Sequence, residues 1–95
     1  MCREQKSGLA RLLIRCPDRR DELVRAARSP TIMDFCEAYE LSWSAALHWA
    51  KVPRSKAAEI ATEYRMLIIA IEQDVLLTAE QNSKHPRPLE ARPRL

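Results

Sequence analysis

The sequence predicts an all-α protein in which two long helices, over about residues 30–51 and 54–81, form an antiparallel hairpin. Two observations support this prediction. Apolar residues recur at alternating spacings of four and three through both segments, so that each set lies along one face of a helix. The 95 residues include one glycine, and no window alternates apolar and polar side chains as a strand does. One or two short N-terminal helices are expected to cover the hairpin, giving a three- to four-helix bundle.

Two shorter helices are predicted before the hairpin. A first helix over about residues 4–15 carries three leucines on one face and its arginines elsewhere. The break at Cys16 is followed by Pro17, which suits the first turn of a helix, and by Asp18, whose charge suits the positive end of a helix dipole. A second helix is therefore predicted from Pro17 to about Arg28.

The charges of the chain are unevenly distributed. Residues 1–30 contain eight basic and four acidic side chains, whereas residues 31–50 contain three acidic side chains and no lysine or arginine. Opposite charges attract each other more strongly where burial lowers the local dielectric constant. We therefore expect the leucine face of the first helix to cover the hairpin while its arginines face water, with the acidic third helix as the counterpart of this basic segment. The alternative is that the basic first helix lies on an acidic membrane surface or binds another protein.

The third helix has the clearest boundaries. Ser29 can cap free backbone N–H groups, and Pro30 fits the first helical position. The helix should continue to about Lys51. Val52 should end it, because the residue before a proline, here Pro53, is pushed out of helical geometry.

The last helix should open at Pro53 or Ser55 and fade near Gln81. It has apolar residues outside its core-facing positions, a width typical of a helix at the centre of a bundle. We therefore expect this helix to be central and the tryptophan-bearing third helix to be more exposed. Residues 1–81 would form one domain. Residues 82–95, with three prolines and four basic side chains, are predicted to be a disordered basic tail.

Cysteine usage and hydropathy predict a cytoplasmic protein without a membrane span. The three cysteines are an odd number at spacings of 14 and 20, which fits neither a disulfide framework nor a metal motif. The longest uncharged apolar run, residues 66–71, is far shorter than the roughly 20 residues that span a bilayer.

The sequence offers no catalytic constellation, so we expect no enzyme and no cofactor. The single glycine, Gly8, cannot build a phosphate-binding glycine loop. His48 has no carboxylate three or four residues away, and His85 lies in the predicted tail. The acidic residues of the hairpin form no Glu-x-x-His motif, so solvated charge is their expected role and no metal site is predicted.

An aromatic stripe on the third helix is the candidate partner surface, formed by Phe35, Tyr39, Trp43 and Trp49. Core packing is the commoner role of such a stripe. The two tryptophans, however, point about 120° apart around a helix, so both cannot lie under one narrow partner helix. One of them is expected at an edge, where tryptophan is a favoured interface anchor. This surface predicts an interaction or regulatory module that binds another protein or a second copy of the chain.

Nucleic-acid binding is the alternative function, because both ends of the chain are basic. A regulator of this kind would use the N-terminal segment and phosphate contacts from Lys84, Arg87, Arg92 and Arg94 in the tail. Residues 31–52 could also be parsed as a helix-turn-helix with its turn at residues 40–42. The apolar spacing continues through that turn, however, which favours one continuous helix.

Residues 35–41, Phe-Cys-Glu-Ala-Tyr-Glu-Leu, resemble small uncharacterised bacterial helical-hairpin proteins, and the layout is similar to that of YdcH-like proteins. The matching features, over about residues 20–80, are the aromatic entry into a long helix, the break at Pro53 and a second long helix. The lysine-rich final helix of that family is missing here. The resemblance implies a helical hairpin and transfers no activity or catalytic residue.

Overall fold

The computed structural model describes residues 1–84 and confirms an all-α helical bundle. A single turn of 3-10 helix, Pro17–Arg19, precedes the second helix, and no strand occurs within the described residues. The four α-helices are α1 (Arg3–Arg15), α2 (Arg20–Ala26), α3 (Pro30–Lys51) and α4 (Ala57–Lys84).

The boundaries of α3 follow the local chemistry of its two prolines. Ser29 is extended, with φ −76° and ψ 132°, although its side chain makes no capping hydrogen bond, and Pro30 occupies the first turn. Val52 is extended as well, with φ −78° and ψ 123°, which stops the helix before Pro53. The two helices of the hairpin are therefore separated at the predicted break.

The last helix begins three residues later than predicted, at Ala57. Residues 53–56 form a turn in which the Ala57 N–H donates to the Arg54 carbonyl oxygen at 3.1 Å. At its other end α4 continues through residues 82–84, which were expected to belong to the tail. The remainder of the predicted tail lies outside the described residues.

Helix α1 runs parallel to α3, so residue numbers on the two helices rise together. Gly8 packs against the backbone of Cys36, and Arg11 bonds to Glu40 one turn further along both helices. Because Gly8 has no side chain, the two backbones approach closely there. The N-terminal helix is thereby fixed on one side of the hairpin.

The 3-10 turn and α2 lead the chain back to the start of α3. An Nη2 group of Arg19 donates to the Leu76 carbonyl oxygen at 3.2 Å, and α2 packs against α4. Helices α1 and α2 therefore form one layer on the hairpin, α1 over α3 and α2 over α4. The opposite face of the hairpin carries no helix within the described residues.

The core joins all four helices, but its centre is α3, and the expectation that α4 is central is wrong. Helix α3 packs against both α1 and α4. Four apolar positions of α4 outside its core face, between residues 66 and 77, are exposed instead. The largest fully buried side chains are Tyr39, Leu12, Leu23, Ile32, Val75 and Cys36.

The N-terminal layer covers only part of the hairpin. Helix α1 ends at the level of Trp43 and Glu72. Arg15, in its last turn, lines a cavity beside Trp43 and bonds to Glu72. Residues 44–51 of α3 and 57–70 of α4 extend beyond α1 as a two-helix segment, which we call the arm. Among residues 1–84, none of the helices combines the length and apolar character needed to cross a membrane.

Candidate functional site

A polar junction forms where α1, α3 and α4 meet. The Arg11 Nε–H donates to the Glu40 carboxylate at 2.6 Å. The Arg15 Nε–H donates to Oε2 of Glu72 at 3.0 Å. The Tyr39 hydroxyl donates to that same oxygen, so one carboxylate on α4 holds groups from both α1 and α3.

The two arginine–glutamate ion pairs fix the orientation of α1 more than they stabilise the fold. The arginines lie one turn apart on α1, so a single helix face presents both to the hairpin. The side chains of Arg11 and Arg15 are 36% and 54% exposed. Ion pairs at this exposure contribute about 0–1 kcal/mol, because water screens the charges. Their role is to fix the position of α1 along α3 and α4.

The ionisation of Tyr39 is shifted by its surroundings. Burial and the hydrogen bond to Glu72 raise the pKa of the phenol from 10.0 to about 12, and burial is the larger cause. The Arg15 pKa is also raised, chiefly by its hydrogen bond to Glu72. Tyr39 therefore remains a neutral donor at physiological pH and cannot act as a general base.

The Tyr39 shift predicts a loss of stability at alkaline pH. Because the folded-state pKa lies above the ordinary value, the contribution is complete below pH 10 and is lost as pH rises to about 12. The amount lost is on the order of 3 kcal/mol, because each pKa unit corresponds to about 1.4 kcal/mol. The Tyr64→Phe variant leaves Tyr39 as the sole tyrosine, so tyrosinate absorbance reports its titration directly.

The control for this titration is the same variant in concentrated urea. The midpoint should be near pH 12 in the folded protein and near pH 10 in urea. A midpoint near 10 in the folded protein would show that the hydroxyl is neither buried nor held in this bond.

Trp43 lies at the edge of the junction. The Arg11 guanidinium carbon is 5.3 Å from the centre of its ring, and the Tyr39 ring contacts it edge-on at 6.4 Å. The indole N–H is buried without a hydrogen-bond partner among the described residues. Beside it is a surface cavity of about 210 Å³, lined by Arg11, Ile14, Arg15 and Trp43.

The residues that line the cavity and two of the three cysteines, Cys16 and Cys36, show no activated nucleophile. The two arginines at the cavity are already paired with carboxylates, and no nucleophile or histidine lines it. Burial raises the pKa of the Cys36 thiol to about 11, and that of Cys16 is raised as well, chiefly by burial. The part of the chain described by the structure contains no cluster of three potential metal ligands.

The predicted aromatic surface lies mostly inside the fold. Tyr39 has no exposed surface, so it cannot contact a partner in this conformation. Phe35 and Trp43 are partly buried and pack against the core. Trp49 lies outside the core on the arm and contacts the His48 ring edge-on at 5.3 Å. Of the four predicted residues, Trp49 is the one that lies beyond the N-terminal layer.

The exposed apolar side chains lie mainly on another part of the fold. Six of the nine large apolar residues exposed within residues 1–84 belong to the hairpin. These residues are Leu41, Leu47, Met66, Leu67, Ile69 and Leu77, with exposed fractions between 45% and 65%. The surplus apolar positions of the last helix were recognisable from the sequence. Their exposure was not, because it depends on the position of α1 and α2.

The predicted phosphate contacts lie almost entirely outside the structure. Lys84 is the last residue of α4, and its side chain is not described. Arg87, Arg92 and Arg94 lie outside the described residues.

Comparison with known proteins provides no assignment. No protein-family model matches the sequence, and neither the curated proteins nor the solved structures give a match. The similarity in layout to YdcH-like proteins stays a prediction from the sequence. Function has to be inferred from the hairpin and its surface.

Proposed function

We propose that the protein is a small non-enzymatic module that acts through protein–protein contacts of its helical hairpin. The observation that carries this proposal is the position of the exposed apolar side chains. Six large ones lie on α3 and α4, and four of these are within the arm or directly beside it, at residues 47, 66, 67 and 69. Scattered single apolar residues are ordinary at a surface, whereas apolar residues gathered in one part of the fold are typical of an interaction site.

The incomplete cover of the hairpin strengthens this interpretation. An α-helix that packs on one neighbour buries only one stripe of its surface. In the arm each helix has only the other as a neighbour, so apolar side chains on its remaining faces stay in water. A partner that buries Met66 or Ile69 would gain roughly 1.5–3 kcal/mol for each fully buried side chain.

The structure gives the nucleic-acid alternative less support than the sequence does. Three of the eight basic side chains of residues 1–30, namely Arg11, Arg15 and Arg19, bond to carboxylates within the fold. Those guanidinium groups are partly neutralised, which weakens their attraction for phosphates. A cytoplasmic location is part of this proposal, because three cysteines at spacings of 14 and 20 fit no disulfide framework.

Site-specific photo-crosslinking tests the proposed function. A photoreactive amino acid in place of Met66, which is 65% exposed, should give discrete cross-linked products in a native extract. The matched control carries the same group in place of Arg20, which is exposed on α2, and should give none. Absence of products at position 66, or the same products at both positions, would exclude the hairpin as a protein-binding surface.

A further inference from the structure

The face of the hairpin opposite to α1 and α2 can be defined by counting along the helices. Residues two positions apart on a helix point about 160° away from each other. Cys36 and Glu40 face α1, so Ala38, which is two positions from each, faces away. Leu41 lies one turn further along α3 on the same side.

Helix α4 presents a matching stripe on this side. Glu72 bonds to Arg15 of the N-terminal layer, so Ala70, two positions away from Glu72, points away from that layer. Leu67 lies one turn before Ala70 on the same stripe. We call the combined exposed surface the open face, and it consists of Ala38 and Leu41 of α3 and Leu67 and Ala70 of α4.

Three exposed acidic side chains border the open face. Asp34 lies one turn before Ala38 on α3. Asp74 and Glu63 continue the α4 stripe by one turn at either end. Within residues 1–84, none of these three carboxylates pairs with an opposite charge. The apolar centre of the open face is therefore bordered by negative charge.

No basic side chain of the hairpin helices balances these acids. Residues 30–50 and 57–83 together contain eight acidic side chains and a single basic one, Arg65. Arg65 lies two turns before Glu72, so it points to the side of α1 and away from the open face. The other basic groups near the hairpin lie at its two ends, at residue 28 before α3 and at residues 51, 54 and 56 around the connector.

The segment that follows α4 has the complementary composition. Residues 84–95 contain four basic side chains and one acidic one, and their two leucines are Leu89 and Leu95. Of the basic groups on α1, by contrast, Arg11 and Arg15 are already held by carboxylates. The segment therefore supplies what the open face lacks, namely cations for its border and apolar side chains for its centre.

The length of the segment matches the distances along α4. This helix ends at Lys84, and Asp74 and Glu63 lie about 15 Å and about 32 Å back along its axis. The eleven residues beyond Lys84 reach at most about 36–40 Å. They can therefore span the whole acidic border, whereas the basic residue 56 lies about 42 Å away, beyond their reach.

We propose that residues 85–95 dock on the open face of their own chain and cover it. The arginines at positions 87, 92 and 94 lie against the acidic border, and the two leucines lie over the apolar centre. The proposal rests on the proposed function and deepens it, because it names what regulates the hairpin surface. A partner that binds at Leu67 has to displace the segment first.

A segment of the same chain needs little intrinsic affinity to dock. A short flexible connection holds it at an effective concentration in the millimolar range, so contacts with a dissociation constant of about 1 mM cover the face for about half of the time. The three prolines of the segment, at positions 86, 88 and 93, reduce the conformational freedom that docking removes.

Paramagnetic relaxation in the full-length chain tests the docking. The variant Cys2→Ser/Cys16→Ser/Ala91→Cys carries a nitroxide at position 91, and Cys36 stays unlabelled because it has no exposed surface. The methyl groups of Leu67 and Ile69 are the readout, since these residues lie equally far from Lys84 but on opposite sides of α4. The expected relaxation enhancement is several-fold larger at Leu67.

Removal of the acidic border separates docking from simple proximity. Asp34→Asn/Asp74→Asn should lower the enhancement at Leu67 several-fold, towards the value at Ile69, and added salt should do the same. Asp18→Asn/Asp21→Asn is the matched control. It removes the same charge from two exposed positions at the start of α2 and should leave the enhancement unchanged.

The docking is refuted if Leu67 and Ile69 are enhanced equally, or if both pairs of aspartate substitutions act equally. A mixture of isotope-labelled natural chain and unlabelled nitroxide-bearing chain provides the remaining check. Enhancement at Leu67 in this mixture would show that the segment comes from a second copy, which also overturns the proposal. Cross-linking at position 66, outside the open face, decides the proposed function separately, because its loss would refute the wider proposal whether or not the segment docks.

Discussion

Replacing Gly8 with alanine should destabilise the protein by about 3 kcal/mol, at the upper end of the range for overpacked sites. A Cβ atom at this position would overlap the Cys36 carbonyl oxygen and lie 2.6 Å from the carbonyl carbon. Both atoms belong to the backbone of α3 and cannot rotate away. Helix α1 would have to move outward, which separates Leu12 from the core and Arg11 from Glu40.

The sign of the change in stability distinguishes a closely packed Gly8 from one with open space around it. In an unobstructed helix the same substitution would stabilise the protein by about 1 kcal/mol, because alanine has the higher helix propensity. Urea unfolding followed by circular dichroism, at one fixed protein concentration, measures the difference. Ala10→Gly, at an exposed position of α1, serves as a control and should cost only about 1 kcal/mol. A Gly8→Ala protein as stable as the natural chain would show that α1 does not pack closely on α3.

Truncation of Tyr39 to alanine should cost about 3–5 kcal/mol, the range for large aromatic residues in a core. Tyr39 is the largest of the fully buried side chains, and its hydroxyl holds the Glu72 carboxylate of α4. The substitution removes both the packing of the ring and this link between the hairpin helices. Total stabilities are commonly 5–15 kcal/mol, so the variant should be largely unfolded at moderate urea concentrations.

Tyr39→Phe separates the two contributions. It keeps the ring in the core and removes only the hydroxyl, while Glu72 retains its bond to Arg15. The expected loss is about 1–2 kcal/mol, the range for a hydrogen bond to a charged group in a partly screened site. If phenylalanine and alanine destabilised equally, the hydrogen bond and not the packing of the ring would dominate.

The hairpin could be predicted from the sequence because its signals are local. Ser29-Pro30 and Val52-Pro53 restrict the backbone through their own covalent structure, so the limits of α3 agree with the prediction. The continuous apolar spacing through residues 40–42 also favoured one helix over a helix-turn-helix, and α3 is continuous there. The start of α4 was predicted less accurately, because the turn at residues 53–56 depends on a backbone bond between Arg54 and Ala57.

The arrangement of the N-terminal helices could not be predicted in the same way. Nothing near Gly8 indicates that it faces Cys36, which lies 28 positions away. The junction carboxylate, Glu72, looked like one solvated charge among many on the last helix. The sequence predicted that Arg11 and Arg15 would face water, whereas long-range packing brings them to Glu40 and Glu72.

The candidate surface was only partly foreseeable for a related reason. Aromatic residues were the natural choice for an interface, yet Tyr39 is fully buried in the core. The width of the apolar surface on α4 was recognised, but it was assigned to the interior of the bundle. Because α1 covers α3 instead, Leu67 and Ile69 remain in contact with water.

The order in which the helices pair has a consequence during synthesis of the chain on the ribosome. Helix α1 is synthesised before α3 and α4. The bond between Arg15 and Glu72 cannot form until 57 further residues have been added to the chain. At about 5–20 residues per second this delay is roughly 3–11 seconds. Helix α3, on which α1 packs, is complete at Lys51, so the leucines of α1 can dock on α3 before the bond to α4 forms.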